Sequence, residues 1–174
     1  SLASIDEAVR QIRAIVHNLR EPDSDVGLVE RIRRESSLSR SFLGFAPSLL
    51  ISVDGQSVNE QKECEDHRVE LLNSRVDDSR SDDAVAIVRE GLSNIARHAH
   101  ATAGAVNVEL QGSGKTGRLT VSVSDDGVGI DPAHTRNSGL ANMAERARLN
   151  GGTFTIGTGL EGKGTKITWS VPLA

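Results

Sequence analysis

Apolar and polar residues alternate with a period of two in five segments of the chain. Because successive side chains of a strand point to opposite faces, this alternation predicts strands that bury one face and leave the other in water, as in antiparallel sheets. The predicted strands are "SLLISVD" (48–54), "AVNVELQ" (105–111), "RLTVSVSDD" (118–126), "TFTIGT" (153–158) and "TKITWSVPL" (165–173).

Apolar residues at helical spacing predict three helices between these strands. The longest one begins at Asp82, with Ser81 as its expected N-cap and acidic residues in its first turn. Helices and strands in this order indicate an α+β fold, a two-layer sandwich with helices on one face of a mostly antiparallel sheet. The predicted helices span 26–41, 82–100 and 139–152, and "NGG" ends the last of them.

A separate pattern occupies the start of the chain, where apolar residues recur at intervals of three and four. Such a heptad seam predicts a helix that packs against another helix, and Pro22 would end it. The helix could lie on its own domain or be one arm of a bundle hairpin. We expect two units, 1–22 and 23–174. The seam consists of Leu2, Ile5, Val9, Ile12, Val16 and Leu19.

The most polar stretch of the chain, residues 55–81, gives no clear pattern. It is compatible with a long loop, a short extra helix or a mobile insertion, and the sequence does not decide between them.

Composition excludes several classes of function. With 20 Lys and Arg against 24 Asp and Glu among 174 residues, the chain has no basic field for nucleic acid, and 2% aromatic residues offer few stacking platforms. The single Cys64 permits neither an internal disulfide nor a cysteine-built zinc site. No apolar run approaches the roughly 20 residues of a membrane span. We expect a cytoplasmic chain, or a soluble fragment, with no direct nucleic-acid or membrane contact.

Two carboxylates and two glycines follow the third predicted strand, in "SDDGVGI" (124–130). Asp125 continues the parity of the apolar residues of that strand, so its side chain should point toward the helices. A buried carboxylate is costly unless hydrogen bonds are donated to it. Gly127 and Gly129 would let a ligand approach the backbone closely. We therefore predict that Asp125 is an acceptor at the floor of a pocket, and that Asp126 lies in solvent.

The longest predicted helix carries a polar stripe beside its apolar one. Glu90, Asn94, Arg97 and His98 follow one another at spacings that place them along one side of the helix. A carboxylate, an amide oxygen and cations in one line suit a site for a metal ion and phosphates. The alternative is a solvated face with an ordinary i,i+4 ion pair.

Two glycine-containing segments complete the candidate chemistry. Ser138 and Gly139 open the helix in "NSGLANMAER" (137–146), where unpaired backbone N–H groups would favour an anion. The turn "GKGT" (162–165) joins the last two strands, and as a hairpin turn it requires no function.

The succession of "EGLSN", "DDGVGI", "SGLANMAER" and "GKGT" resembles the ATP-binding domain of the gyrase, Hsp90, histidine kinase and MutL superfamily, the GHKL or Bergerat fold. The likeness covers about residues 80–174. It implies that Asp125 accepts from the adenine 6-amino group with support from Thr165. It also implies that Asn94 and Glu90 hold Mg²⁺, and that Glu90 acts as general base or orients the acceptor. The further contacts implied for ATP are Arg97, His98, Gly127, Gly129, Ile130, Ser138, Gly139, Leu140, Lys163 and Gly164.

Within that superfamily, "NIARHAHA", "GLANMAERARLNGG" and "TWSVPL" resemble bacterial sensor histidine kinases that partner LuxR/NarL-type response regulators. Among these kinases, the sequence most resembles actinobacterial haem-based redox and oxygen sensor kinases. "IDEAVRQIRAIVHNLRE" resembles the end of their dimerisation hairpin. The resemblance therefore implies self-association through those helices. It also implies transfer of the ATP γ-phosphoryl group to a histidine absent from this fragment, and then to the regulator.

The chain departs from this family in three places. His17, in "VHNLR", does not match the phosphoacceptor, and segment 55–81 is longer than expected. The lid, residues 131–138, is short and has almost no apolar anchor, so we expect it to be mobile without nucleotide.

Three other functions stay open. Anti-sigma-factor serine kinases share the fold but lack a hairpin helix, and gyrase- or Hsp90-like ATPases have longer lids and further domains. A non-enzymatic domain that binds nucleotide weakly and serves as a docking surface is the third. Nucleotide affinity would separate the last class from the others.

Overall fold

The protein is described by a computed structural model that covers residues 26–58, 67–98, 100–129 and 139–174. In this part of the chain, four helices lie on one face of a six-stranded sheet, which confirms the predicted α+β sandwich. The helices are α1 (Leu28–Leu43), α2 (His67–Arg75), α3 (Asp78–His98) and α4 (Leu140–Leu149). The strands are β1 (Ser48–Val53), β2 (Gln56–Ser57), β3 (Gly104–Gln111), β4 (Arg118–Asp125), β5 (Thr153–Thr158) and β6 (Thr165–Pro172).

The sheet is mixed, with strand order β2-β1-β3-β4-β6-β5. β1 runs parallel to β3. Parallel strands need a long crossover connection, and here that connection contains α2 and α3. The other pairs are antiparallel. The register places Gly104 of β3 opposite Asp125 at the end of β4.

The core lies between the helices and the apolar face of the sheet. Alternate residues of β3, β4 and β6 are buried there, as the period-two pattern predicts. Trp169, the largest of the fully buried side chains, pairs with Val121 of β4 and Phe154 of β5. The polar residues that alternate with these apolar residues along each strand face away from the helices.

The start of α3 differs from the prediction. The helix begins at Asp78, four residues before the expected start, and Ser81 is buried inside its first turn. The side chain of Asp77 accepts a hydrogen bond from the backbone N–H of Arg80 (2.8 Å) and therefore caps the helix. The prediction of Ser81 as the N-cap was wrong. Asp77 and Ser81 are both acceptable capping residues, and the local sequence alone does not decide between them.

Segment 55–81 is not a single long loop. β2 forms a hairpin with β1 through Asp54 and Gly55, both at positive φ, and α2 covers the sheet edge with Leu72 buried. Residues 59–66 lie outside the described residues. So do the heptad helix of residues 1–22 and the lid at 131–138, which remain predictions.

Candidate functional site

Asp125 ends β4 with its side chain on the helix-facing side of the sheet, where the parity of the strand predicted it. The residue is only 4% exposed. The backbone N–H of Gly127 donates to its Oδ1 (2.8 Å), and the backbone of Thr165 donates as well. Burial raises the pKa of the Asp125 carboxyl, against the opposing effect of these two hydrogen bonds. The site therefore holds a desolvated carboxylate with remaining acceptor capacity.

Glycines surround this carboxylate. Gly129 and Gly164 both have positive φ, and Gly164 lies so close that an added Cβ would overlap Asp125 Oδ1. A Cβ on Gly129 would lie 3.5 Å from the Gly164 carbonyl oxygen and 3.9 Å from Thr165 Oγ1. The turn after β4 and the turn before β6 therefore meet at Asp125. Side chains larger than hydrogen would fill the space beside the carboxylate.

Asn94 supplies an unusual buried amide on α3. The residue is 7% exposed, and neither its Oδ1 nor its Nδ2 has a hydrogen-bond partner among the described residues. Buried polar groups in folded proteins are nearly always paired, so an orphan amide is a position where a ligand or metal ion is expected.

The C-terminal half of α3 lies beside the end of β4 for a steric reason. A Cβ on Gly91 would meet Val123 Cβ at 2.9 Å and Ile167 Cδ1 at 3.0 Å, so the absent side chain seats the helix directly on the sheet. One turn later, Ile95 Cδ1 lies near Gly104, the strand partner of Asp125. Asn94 is thus carried to the same end of the sheet as Asp125. Gly91 was missed by the sequence reasoning, although a glycine on the apolar stripe of a helix was a usable signal.

Glu90 and Arg97 form an ion pair on the exposed side of α3. Arg97 Nη2 lies 3.3 Å from Glu90 Oε1 and donates to Ser93 Oγ at 2.9 Å. The pair spans seven residues, two turns, so the stripe is not a simple i,i+4 pair. In this arrangement Arg97 is engaged by protein acceptors.

The start of α4 reaches the same side of the site. Gly139 is the N-cap in a left-handed conformation, and an added Cβ there would overlap Glu90 Oε1. Leu140, next to it, is buried in the core. Glu90 therefore lies against the first turn of α4, a contact between residues far apart in sequence.

The remaining predicted residues are less defined. Lys163 is exposed, and its backbone N–H donates to the Leu160 carbonyl within the turn. The sequence predicted Lys163 either as a ligand contact or as an ordinary turn lysine. Ile130, Ser138 and the side chain of His98 lie outside what the structure describes.

Asp126 is partly exposed, as its parity predicted, and it is also hydrogen-bonded. Its carboxylate accepts hydrogen bonds from both backbone and side chain of Thr102 and from the backbone of Ala103. These bonds, led by that of the Thr102 hydroxyl, lower the pKa of Asp126 to about 2. Parity set its direction correctly but could not show which loop it meets.

Across the described ranges, no group of three or more His, Cys, Asp or Glu side chains could hold a metal ion. A dedicated all-protein metal cage is therefore absent from this part of the chain. Within the same ranges, none of the helices combines the length and the apolar character needed to cross a membrane.

Comparison with curated proteins gives sensor kinases as relatives. UhpB of Salmonella typhimurium, a signal transduction histidine-protein kinase/phosphatase, is 40% identical over 87 residues, which are 49% of this chain and 16% of that protein. The sensor histidine kinase LiaS of Bacillus subtilis is 27% identical over 168 residues, 87% of this chain and 45% of that protein. The chain thus spans less than half the length of these relatives.

Solved structures support the same fold. The histidine kinase domain of a blue-light activated histidine kinase from Erythrobacter litoralis EL346 has a TM-score of 0.54 at 22% identity, covering 84% of this chain and 61% of that one. Full-length ShkA in complex with AMPPNP has a TM-score of 0.52 at 18% identity, with 82% and 29% covered.

A family model is matched by residues 79–174, a range that holds α3 except its first residue, the two glycine turns, α4 and the strands β3 to β6. That range is more than half of the chain. The chain belongs to the histidine kinase-, DNA gyrase B-, and HSP90-like ATPase family.

Proposed function

We propose that this chain is the catalytic ATP-binding domain of a two-component sensor histidine kinase. The observation that carries the proposal is a buried carboxylate with spare acceptor capacity, Asp125, at the same end of the sheet as a buried amide without a partner among the described residues, Asn94. Sensor kinases among the relatives favour this class over the other members of the family.

The Asp125 side of the site suits the base of the nucleotide. Its carboxylate accepts from the adenine 6-amino group, and Thr165 supports the same edge. Gly127, Gly129 and Gly164 keep the walls free of side chains, so a flat ring can reach the floor. A hydrogen bond to a desolvated charged group contributes about 1.5–3 kcal/mol, enough to select an amino group over other substituents.

The α3 side of the site suits the phosphates and Mg²⁺. Asn94 offers a hard amide oxygen, and Glu90 a carboxylate, which fits the few protein ligands that Mg²⁺ typically takes alongside waters and phosphates. When bound, Mg²⁺ would neutralise phosphate charge. Arg97, His98 and Lys163 would add cationic partners. Gly139 and Leu140, with Ser138, would offer backbone N–H groups at the positive end of α4.

Phosphoryl transfer depends chiefly on positioning and charge neutralisation. Glu90 is the residue proposed to orient the acceptor histidine or take its proton, because it lies at the open side of α3 next to the start of α4. Its ion pair with Arg97 would have to rearrange when phosphates attract the guanidinium.

The proposed partners follow from the class. They are a response regulator of the LuxR/NarL type and a second copy of the chain that associates through the helix predicted at 1–22, within the cytoplasm. A haem-based sensor upstream remains a prediction.

Replacing Asn94 by Ala should weaken binding of ADP in the presence of Mg²⁺ by about tenfold or more, as loss of metal-site residues commonly does. Binding of ADP in excess chelator should change little, because the Asp125 side is untouched. Calorimetric titrations with and without Mg²⁺ measure both. Asn94→Asp, which keeps an oxygen ligand, is the matched control. An equal loss with and without Mg²⁺ would show that Asn94 is structural.

The kinase activity itself is tested by transfer in trans. None of His17, His67, His98, His100 and His134 has the local pattern of the acceptor, so labelled ATP should leave this chain unlabelled when it is incubated alone. The second protein is a longer form in which a phosphoacceptor helix precedes residue 1 and Asp125 is replaced by Ala. Label should enter that longer chain only in the mixture. Absence of label on the longer chain in the mixture would contradict the kinase assignment, whereas acid-labile phosphate on this chain alone, mapped to His17, would overturn the expectation that it carries no acceptor.

A further inference from the structure

Asp126 connects the turn after β4 with the segment that precedes β3. Among the described residues, its side chain is the one that forms hydrogen bonds between these two loops. Its Oδ1 accepts from the backbone N–H of Thr102 and of Ala103, both at 2.9 Å, and its Oδ2 accepts from Thr102 Oγ1 at 2.7 Å. Its own N–H donates to the Ala103 carbonyl at 3.3 Å. One residue therefore makes four hydrogen bonds to a two-residue segment.

That segment is the exit of α3. The helix ends at His98, and Thr102 and Ala103 lead directly into β3 at Gly104. Asn94 lies one turn before the helix end. Asp126 follows Asp125 directly, so its hydrogen bonds tie the end of the strand that carries the carboxylate to the segment that connects β3 with the helix carrying the amide.

One hydrogen bond from α3 to the sheet lies in the first turn of the helix, where Arg80 Nε donates to the Pro172 carbonyl (2.6 Å), and the contacts nearer Asn94 are apolar. Gly91 packs on Val123 and Ile167, and Ile95 packs near Gly104, all through apolar atoms. Apolar contacts are non-directional, so they set how closely the helix lies on the sheet but resist sliding along β4 only weakly. Hydrogen bonds to a carboxylate are directional and short, and they specify position along the strand.

We propose that Asp126 is a positioning residue that sets the separation between Asn94 and Asp125, and thereby between the metal–phosphate end and the adenine end of the nucleotide site. The proposal rests on the proposed function, since that separation matters only for a ligand that spans both ends. Asp126 faces away from Asp125 and does not itself contact the ligand in this account.

A carboxylate that joins two loops elsewhere in the fold provides the control. Asp54, at the opposite end of the sheet, accepts from the Gly112 backbone N–H (2.8 Å) and from Arg75 Nη1 (3.1 Å). Like Asp126, it ties two loops together and has a pKa lowered chiefly by a hydrogen bond from a neighbouring loop. Asp54→Ala therefore removes a comparable loop clamp at a distance from the site.

Two ligands are used to distinguish effects at the two ends of the site. ADP with Mg²⁺ spans both ends and is titrated by calorimetry, whereas adenosine occupies only the Asp125 end and is titrated by NMR chemical shifts. Asp126→Ala should weaken ADP–Mg²⁺ binding about tenfold, since small misplacements of binding groups have large costs. Adenosine binding should stay within about twofold, and Asp126→Asn should restore most of the ADP affinity because an amide oxygen still accepts both backbone N–H groups.

The outcomes decide the proposal in each case. Equal losses for adenosine and ADP–Mg²⁺, or an Asp126→Ala profile equal to that of Asp54→Ala, would overturn the clamp while leaving the proposed function intact. A wild-type chain that binds no ADP–Mg²⁺ would refute the proposed function itself, and the clamp with it. If Asp126→Ala does not fold, Thr102→Val decides, because it removes only the hydroxyl bond and should show the same selective loss on a smaller scale.

Discussion

An Asp125→Ala protein should bind ADP and ATP at least 10- to 150-fold more weakly than the wild type while remaining folded. The factor is the roughly 1.5–3 kcal/mol of a hydrogen bond to a charged group, converted at about 1.4 kcal/mol per tenfold. Asp125→Asn should lose about as much. The Asn oxygen can still accept from Gly127, but its NH₂ group would then face the donor of the adenine.

The fold should survive because Asp125 does not belong to the apolar core. Its folded-state pKa is raised by burial, so the carboxyl favours folding most below its unfolded pKa, and this contribution is lost as pH rises through the folded pKa. At neutral pH the ionised, desolvated group opposes folding, and replacing it by Ala removes that cost. The same change leaves the N–H groups of Gly127 and Thr165 without this acceptor, which offsets part of the gain.

Ser124→Ala is the control for this experiment. Ser124 precedes Asp125 in β4, is equally buried and has the opposite parity, so it faces away from the helices. It should leave nucleotide affinity unchanged. An Asp125→Ala protein with the wild-type melting profile and wild-type affinity would show that the pocket is elsewhere.

The glycine turn before β6 gives a second large effect. Gly164→Ala should both destabilise the protein, by about 2–5 kcal/mol, and abolish measurable nucleotide binding. The free energy combines a left-handed backbone, about 1–2 kcal/mol for a residue with a Cβ, and overpacking, about 1–3 kcal/mol. The overpacking arises because the new Cβ would overlap Asp125 Oδ1 and displace the carboxylate from its position.

Gly162→Ala separates the two causes. Gly162 is in the same turn and also has a positive φ, of 75°, but an added Cβ there would meet nothing within 4 Å. It should therefore show only the backbone cost and normal nucleotide affinity. Denaturant unfolding and calorimetry on the two variants measure the difference. Equal stability and equal affinity of the two proteins would contradict the close approach of Gly164 to Asp125.

Much of this architecture follows from local periodicity. Period-two alternation located five strands, and it placed Asp125 on the covered face, because a strand has only two faces. The polar stripe of α3 was visible from spacing alone. These features need no knowledge of distant residues, which is why the sequence was sufficient for them.

The features that sequence reasoning missed depend on contacts between distant residues. The approach of Gly139 to Glu90 joins residues of two helices, and the bonds from Thr102 and Ala103 to Asp126 join a helix exit to a strand end. The start of α3 was misplaced because Asp77 and Ser81 are both acceptable caps, and the hydrogen bond to Arg80 decides between them. Local sequence propensity alone does not predict any of these contacts.

The most direct test of the central claim is a crystal structure of this chain with ADP and Mg²⁺. The account predicts the adenine 6-amino nitrogen within about 3 Å of an Asp125 carboxylate oxygen, with the phosphates on the α3 side and Asn94 facing the metal ion. Nucleotide bound at another surface, or bound here with the 6-amino group directed away from Asp125, would contradict it.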